Sequence, residues 1–168
     1  MGLNLFTPDL RAESVLELTP QRLRELGLDV LLVDVDCTLK RYPSPEVDAA
    51  VAAWLAGLRA DGFSVCLVSN GRQARIRRLA EGLGLPFIAK ACKPLPFRCW
   101  RAMRRLGAPR ARTAMVGDQI FADVMAGRLA GLYTILVRPM HPEEEPWWTR
   151  LKRPAERWLL NRLDRRKA

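Results

Sequence analysis

Four aspartates, a serine and a lysine stand out in this chain because each sits where a short apolar run ends. Asp34 and Asp36 close the run VLLVDV, with Thr38 just beyond. Ser69 and Asn70 close SVCLVS. Lys93 lies in KACKP, past a third short run, and Asp118 follows TAMVG with Asp123 five residues on. Carboxylates gathered round one point suit a hard divalent cation. Two carboxylates beside a phosphoryl group would repel it unless that cation and a lysine neutralise the charge. The set is therefore suited to holding Mg²⁺ and a phosphate together. Singly, each residue has a plainer reading: an Asp after a strand is often a helix N-cap, and Ser-Asn is often a turn. The ordered set at successive strand ends carries the inference.

The elements that would position these residues alternate along the chain. Thr19-Pro20 opens a helix that Gly27 closes. A buried strand is expected over 30–35, then a helix from Ser44-Pro45 to about Gly62, and a strand over 64–69. Another helix runs to about Gly84, followed by a short strand at 87–89, a helix at 97–106 and a strand at 113–117. A helix over 120–130 and a strand over 132–137 complete the pattern. Strands alternating with helices of this length give βαβ units, hence an α/β fold: a Rossmann-like three-layer α/β/α sandwich on a parallel sheet. In such folds the chemistry sits at the carboxyl ends of the strands, where these residues fall.

With those positions in hand, the chain resembles the haloacid dehalogenase (HAD) superfamily. DVDCTL at 34–39 resembles its first motif, DxDx[TV]; Ser69 in VSNG matches the second; Lys93 in KACKP the third; Gly117-Asp118-Gln119 with Asp123 the fourth. The resemblance implies that Asp34 is the nucleophile and a metal ligand. It implies that Asp36 is the general acid/base and a ligand through its main-chain carbonyl. Ser69 and Lys93, with Thr38 and Asn70, would bind the phosphoryl group, and Asp118 and Asp123 would complete the Mg²⁺ site. An acid two residues after the nucleophile favours phosphatases, and to a lesser extent mutases, over the ATPases of the superfamily, which carry Thr there. The segments 39–45 and 70–92 leave no room for an inserted cap domain, so a capless fold with an open site is expected. The opening, FTPDLRAESVLELTPQRLRELGLDVLLVDVDCTL, resembles the YqeG-like branch of subfamily IIIA, related to the phosphatidylglycerophosphatases of fungal mitochondria and plant plastids. Cys37 and Lys40 stand where those relatives usually have Asn and an apolar residue.

The net charge of +10 points to a polyanionic partner, nucleic acid or an anionic membrane surface. The stretch 90–112 has eight Lys/Arg and no acid, and the resemblance places it beside the site. Residues 141–168 read as a basic amphipathic tail after a hydrolase domain at 1–140. In its helix Ala155, Trp158, Leu159, Arg162 and Leu163 share one face, a composition suited to docking or to a membrane interface. On this reading the tail is an appendage whose removal spares the chemistry. No apolar run approaches the roughly 20 residues that span a bilayer, and the start lacks the pattern of a signal peptide. Four cysteines without a CxxC pair are expected as free thiols. His141 reads as a loop residue. The expected setting is cytoplasmic, peripheral on the inner face of the membrane, with a phospholipid phosphate as substrate. The alternatives are a phosphatase for a protein or nucleic-acid phosphate, or an RNA- or ribosome-binding module with a vestigial site. The complete acidic set argues against the last.

Overall fold

Six parallel strands form one sheet in the computed structural model, which describes residues 4–42 and 44–165. They are β1 Leu10–Ala12, β2 Val30–Val33, β3 Ser64–Val68, β4 Phe87–Ile88, β5 Thr113–Gly117 and β6 Tyr133–Val137, in the order β1-β6-β5-β2-β3-β4. The helices are α1 Pro20–Glu25, α2 Ala49–Ala60, α3 Gln73–Leu83, α4 Phe97–Leu106, α5 Met125–Ala130, α6 Trp147–Arg150 and α7 Arg153–Asp164. Side chains alternate across the sheet, as the strand period of two requires. Leu31, Val33, Val65, Leu67, Ala114 and Val116 pack on one face with Leu23, Leu55, Leu58 and Ile76 of α1, α2 and α3. Leu32, Cys66, Val68 and Met115 pack on the other with Cys99, Met103 and Ala126 of α4 and α5. Burial on both faces explains why the strands read as nearly unbroken apolar runs.

The α/β architecture matches the sequence expectation, and three local features depart from it. First, α2 begins at Ala49 rather than near Ser44. The Ser44 hydroxyl caps a local turn by accepting the Glu46 N–H at 3.2 Å, and the Lys40 ammonium donates to the carbonyls of Arg41, Tyr42 and Ser44. Carbonyls held this way are drawn away from a helical ladder. Second, residues 120–130 are not one regular helix: a wide π turn at Ile120–Val124 precedes α5. Third, β1 adds an edge strand that LRA, with no β-branched residue, does not signal. It pairs with β6, and the Asp9 carboxylate fixes it by accepting the Thr134 N–H and hydroxyl.

The tail packs on the domain. Leu159 and Leu163 bury against Ile120, Val124 and Leu136, and Asp164 pairs with Arg11 of β1. The buried face is Glu156, Leu159 and Leu163, so of the face expected in the sequence only Leu159 and Leu163 meet the domain, while Trp158, 61% exposed, is turned to solvent. The basic stretch 90–112 is not one patch beside the site. Only Lys93 lines the cavity; α4 carries Arg104 and Arg105 toward the opposite edge, and Arg112 pairs with Asp29 there, just before β5 begins. Cys37, Cys66, Cys92 and Cys99 are all free thiols. No helix of the described residues is long and apolar enough to cross a membrane.

Candidate active site

The strand order reverses between β2 and β5. From β2 the chain runs outward through β3 and β4, and from β5 outward through β6. The loops leaving these two central strands diverge, and the crevice between them is where α/β sheets place their chemistry. Asp34 leaves β2 there, with its N–H donated to the Val116 carbonyl at 2.9 Å, and Asp118 leaves β5 beside it. Lys93 enters from the loop after β4. Its ammonium bonds the Asp34 carboxylate, Asp123 Oδ1 at 2.7 Å and the Val68 carbonyl at 2.9 Å. All three of its protons are thereby placed. Burial alone would lower the Lys93 pKa, but Asp123 and Asp34 outweigh that and raise it.

Asp123 reaches Lys93 because of two local choices. The π turn points its carboxylate back at the strand end, where Oδ2 accepts the Gln119 N–H at 3.0 Å. Gly117 leaves the necessary space, since a Cβ there would collide with the Asp123 side chain. Thr38 donates its hydroxyl to Asp118 Oδ1 at 2.9 Å, so the expected phosphate ligand orients a carboxylate in this structure. Asn70 likewise holds the Lys93 backbone, accepting its N–H at 2.8 Å and donating to its carbonyl at 3.3 Å. Ser69 is buried and accepts the Gly71 N–H at 3.0 Å, which leaves its own hydroxyl hydrogen available.

One oxygen each from Asp34, Asp118 and Asp123 lie within 4.8 Å of one another, and all three residues are buried. Burial raises Asp34 well above the usual carboxylate range; Lys93 opposes the rise, while Asp123 and Asp118 add to it. Burial also raises Asp118, opposed by Arg153 and reinforced by Asp123. Across the wider cluster, the buried carboxylates of Asp34, Asp118, Asp123, Glu145 and Glu156 meet only Lys93 and Arg153 as cations among the described residues. Anionic, all-oxygen and short of positive charge, the donor set fits a hard divalent ion.

Asp36 stands slightly apart from that cluster. Arg75 of α3 grips both its oxygens, at 2.7 and 2.5 Å, and Lys40 lies 3.2 Å from Oδ1. Burial raises its pKa, but the hydrogen bonds and charge of Arg75, then Lys40, prevail and hold the carboxyl below its ordinary value. A cavity of about 620 Å³ opens above these groups, with Asp34, Asp36, Ser69 and Lys93 in its lining and Tyr42, Arg72, Arg75, Trp148 and Lys152 around them. No domain is inserted over it: β2 connects to α2 through a loop, and β3 to β4 through α3 alone.

Sequence reasoning missed Arg75, Lys40, Arg153 and Glu145. The first two belong to the clamp on Asp36. Arg153, from the tail, donates to the Asp118 carbonyl at 2.7 Å and bonds the Asp118 and Glu145 carboxylates. The resemblance to the family motifs carried no signal for residues outside them. His141, expected as a loop residue, pairs with Glu143 at the surface.

The family model for haloacid dehalogenase-like hydrolases matches residues 7–131. The chain is 32% identical over 161 residues to the probable phosphatase YqeG of Bacillus subtilis, covering 96% of this chain and 93% of that protein. Its fold resembles the 3-deoxy-D-manno-octulosonate 8-phosphate phosphatase of Moraxella catarrhalis, solved with a magnesium ion, a phosphate ion and a KDO molecule. That likeness has a TM-score of 0.55 at 17% identity, over 73% of this chain and 76% of the other. The cobalt-bound deoxy-D-mannose-octulosonate 8-phosphate phosphatase of Haemophilus influenzae is similar at a TM-score of 0.53 and 20% identity, over 67% and 69% of the two chains. With four motifs gathered at one sheet edge and a family match over most of its length, the chain belongs to the haloacid dehalogenase-like hydrolases.

Proposed function

We propose that the protein is a Mg²⁺-dependent phosphomonoester phosphatase working through an aspartyl-phosphate, and that its substrate is phosphatidylglycerophosphate at a membrane surface. The observation that carries the first part is the convergence of the Asp34, Asp118 and Asp123 carboxylates, with Lys93 bonded to Asp34 and Asp123, beneath an open cavity that Asp34 and Lys93 line. Asp34, Asp118 and the Asp36 carbonyl, supported by Asp123, would hold the cation. When bound, it supplies the positive charge that lets an anionic phosphoryl group approach a carboxylate.

An Asp34 carboxylate oxygen attacks phosphorus, and the bond to the leaving oxygen breaks as Asp36 delivers a proton to it. Asp36 then takes a proton from a water molecule, whose oxygen attacks the same phosphorus and releases Asp34 and inorganic phosphate. Lys93 offsets charge on the phosphoryl group, and the Ser69 hydroxyl donates to one of its oxygens. Asp36 can hold a proton only when its pair with Arg75 loosens. Arg75 lines the same cavity, and an entering phosphoryl dianion competes for its guanidinium.

The substrate assignment draws on the cavity rim and the neighbouring surface. Arg72 and Lys152 line the cavity and have no acidic partner among the described residues, which suits a second anion such as a phosphodiester. Trp147 and Leu151 are 71% and 73% exposed, beside Trp148 in the wall. Exposed aromatic and aliphatic side chains next to Arg150 and Lys152 match the chemistry of an anionic lipid interface. The test is phosphate release with Mg²⁺ from phosphatidylglycerophosphate in mixed micelles, a phosphopeptide, a 5′-phosphorylated oligonucleotide and a soluble aryl phosphate. The lipid should give the highest kcat/KM, and Asp34→Asn should abolish release from all four. A phosphopeptide or oligonucleotide ahead of the lipid would reassign the substrate. Release that survives Asp34→Asn would overturn the mechanism.

A further inference from the structure

We propose that Arg153, carried by the C-terminal helix, is a positioning residue for Asp118, so that the docked tail is a working part of the active site. The inference rests on the reading of Asp118 as a cation ligand. The arginine binds one residue twice: Nη1 donates to the Asp118 carbonyl at 2.7 Å, and Nη2 bonds its carboxylate at Oδ2. Main chain and side chain of Asp118 are thus fixed together. Thr38 takes the other oxygen, Oδ1, at 2.9 Å. Between them the two donors set the direction in which the carboxylate can offer a lone pair.

The arginine is itself held. Nε donates to Glu145 Oε2 at 3.0 Å and Nη1 to Glu156 Oε2 at 3.0 Å, and its side chain is 14% exposed. Glu156 in turn accepts the Phe121 N–H at 3.1 Å, on the π turn that also carries Asp123. The tail therefore reaches both ends of the carboxylate cluster. Docking of α7 does not by itself require this arrangement. Leu159 and Leu163 fill the apolar contact, and a buried cation among carboxylates is a costly way to add adhesion. A planar fork aimed at a backbone carbonyl and a carboxylate of one residue is what orientation needs, and lysine cannot reproduce it.

The test uses the full chain with Arg153→Met, Arg153→Lys and, as a control for docking, Leu163→Ala. Mg²⁺ affinity is measured by calorimetry without substrate, and thermal unfolding by circular dichroism. Loss of an outer partner of a metal ligand weakens metal binding about 10–100-fold. That fall is expected in Arg153→Met, with a smaller one in Arg153→Lys. Leu163→Ala should melt earlier yet bind Mg²⁺ like the wild type. The proposal is overturned if folded Arg153→Met keeps wild-type affinity, or if Leu163→Ala loses as much affinity as Arg153→Met. Should Arg153→Met fail to fold, Arg153→Lys decides, and wild-type affinity there counts against the idea. A wild-type chain that binds no Mg²⁺ would instead remove the role given to Asp118 above.

Discussion

At Asp36, burial and charge pull in opposite directions, and the bidentate grip of Arg75 with Lys40 decides the balance for the ionised form. Asp36→Asn should keep Mg²⁺ binding, because the ligand proposed there is a main-chain carbonyl. It should slow turnover of an alkyl phosphate on the order of 10²–10⁴-fold, and of an aryl phosphate, which leaves without help, much less. Calorimetry and steady-state kinetics check the two halves, and an unchanged alkyl phosphate rate removes the acid role. Asp34, Ser69 and Asp118 were legible in the sequence because each follows directly on a strand, and Lys93 because it lies in the loop after one. Arg75 and Arg153 were not: a long side chain reaches the site from a helix, and its sequence position carries no trace of that reach. Cys37 has a φ of +64°, in the left-handed region that costs a side chain about 1–2 kcal/mol and that asparagine tolerates better.

Among the elements, the turn between β5 and α5 does the most positioning. Its extra residue swings the Asp123 carboxylate inward, and Gly117 leaves the room it needs. Gly117→Ala should push Asp123 off Lys93. Breaking a buried ion pair costs about 3–5 kcal/mol, so chemical denaturation should show a loss approaching that size together with reduced turnover. A wild-type denaturation midpoint would mean that the turn yields easily. The sequence pattern revealed β2 to β6 and α1 to α4, since apolar periods survive tertiary packing. It did not reveal this turn, because a π turn and an α-helix place apolar residues at nearly the same spacings. Nor did it reveal β1, three residues whose pairing depends on Asp9 and Thr134 across the fold.

For the whole molecule, the proposed membrane contact and the proposed aiming of Asp118 both fall to the tail, which the sequence alone read as an appendage. Deleting it cannot isolate membrane contact, because the deletion also takes Arg153. Trp147→Ser combined with Leu151→Ser offers a cleaner test, since neither residue lines the cavity. Turnover of a soluble aryl phosphate should stay at the wild-type level, while co-sedimentation with phosphatidylglycerol vesicles and hydrolysis of vesicle-borne substrate should fall. Added salt should weaken vesicle binding further, as exposed lysines and arginines near an anionic surface each contribute on the order of 1 kcal/mol and are screened. Equal losses on both substrates would count against an interfacial role. The edge pairing of β1 has a consequence for how the molecule assembles. Asp9 meets Thr134 across 125 positions and Arg11 meets Asp164 across 153, whereas β2 and β3 are near neighbours in sequence. Contacts that close long loops form late, because chain entropy is lost before any pairing energy returns. The β2–β3 unit bearing Asp34 and Ser69 should therefore order first, and the edge that seats α7 last, so a folding chain places Asp34 before it seats Arg153 against Asp118.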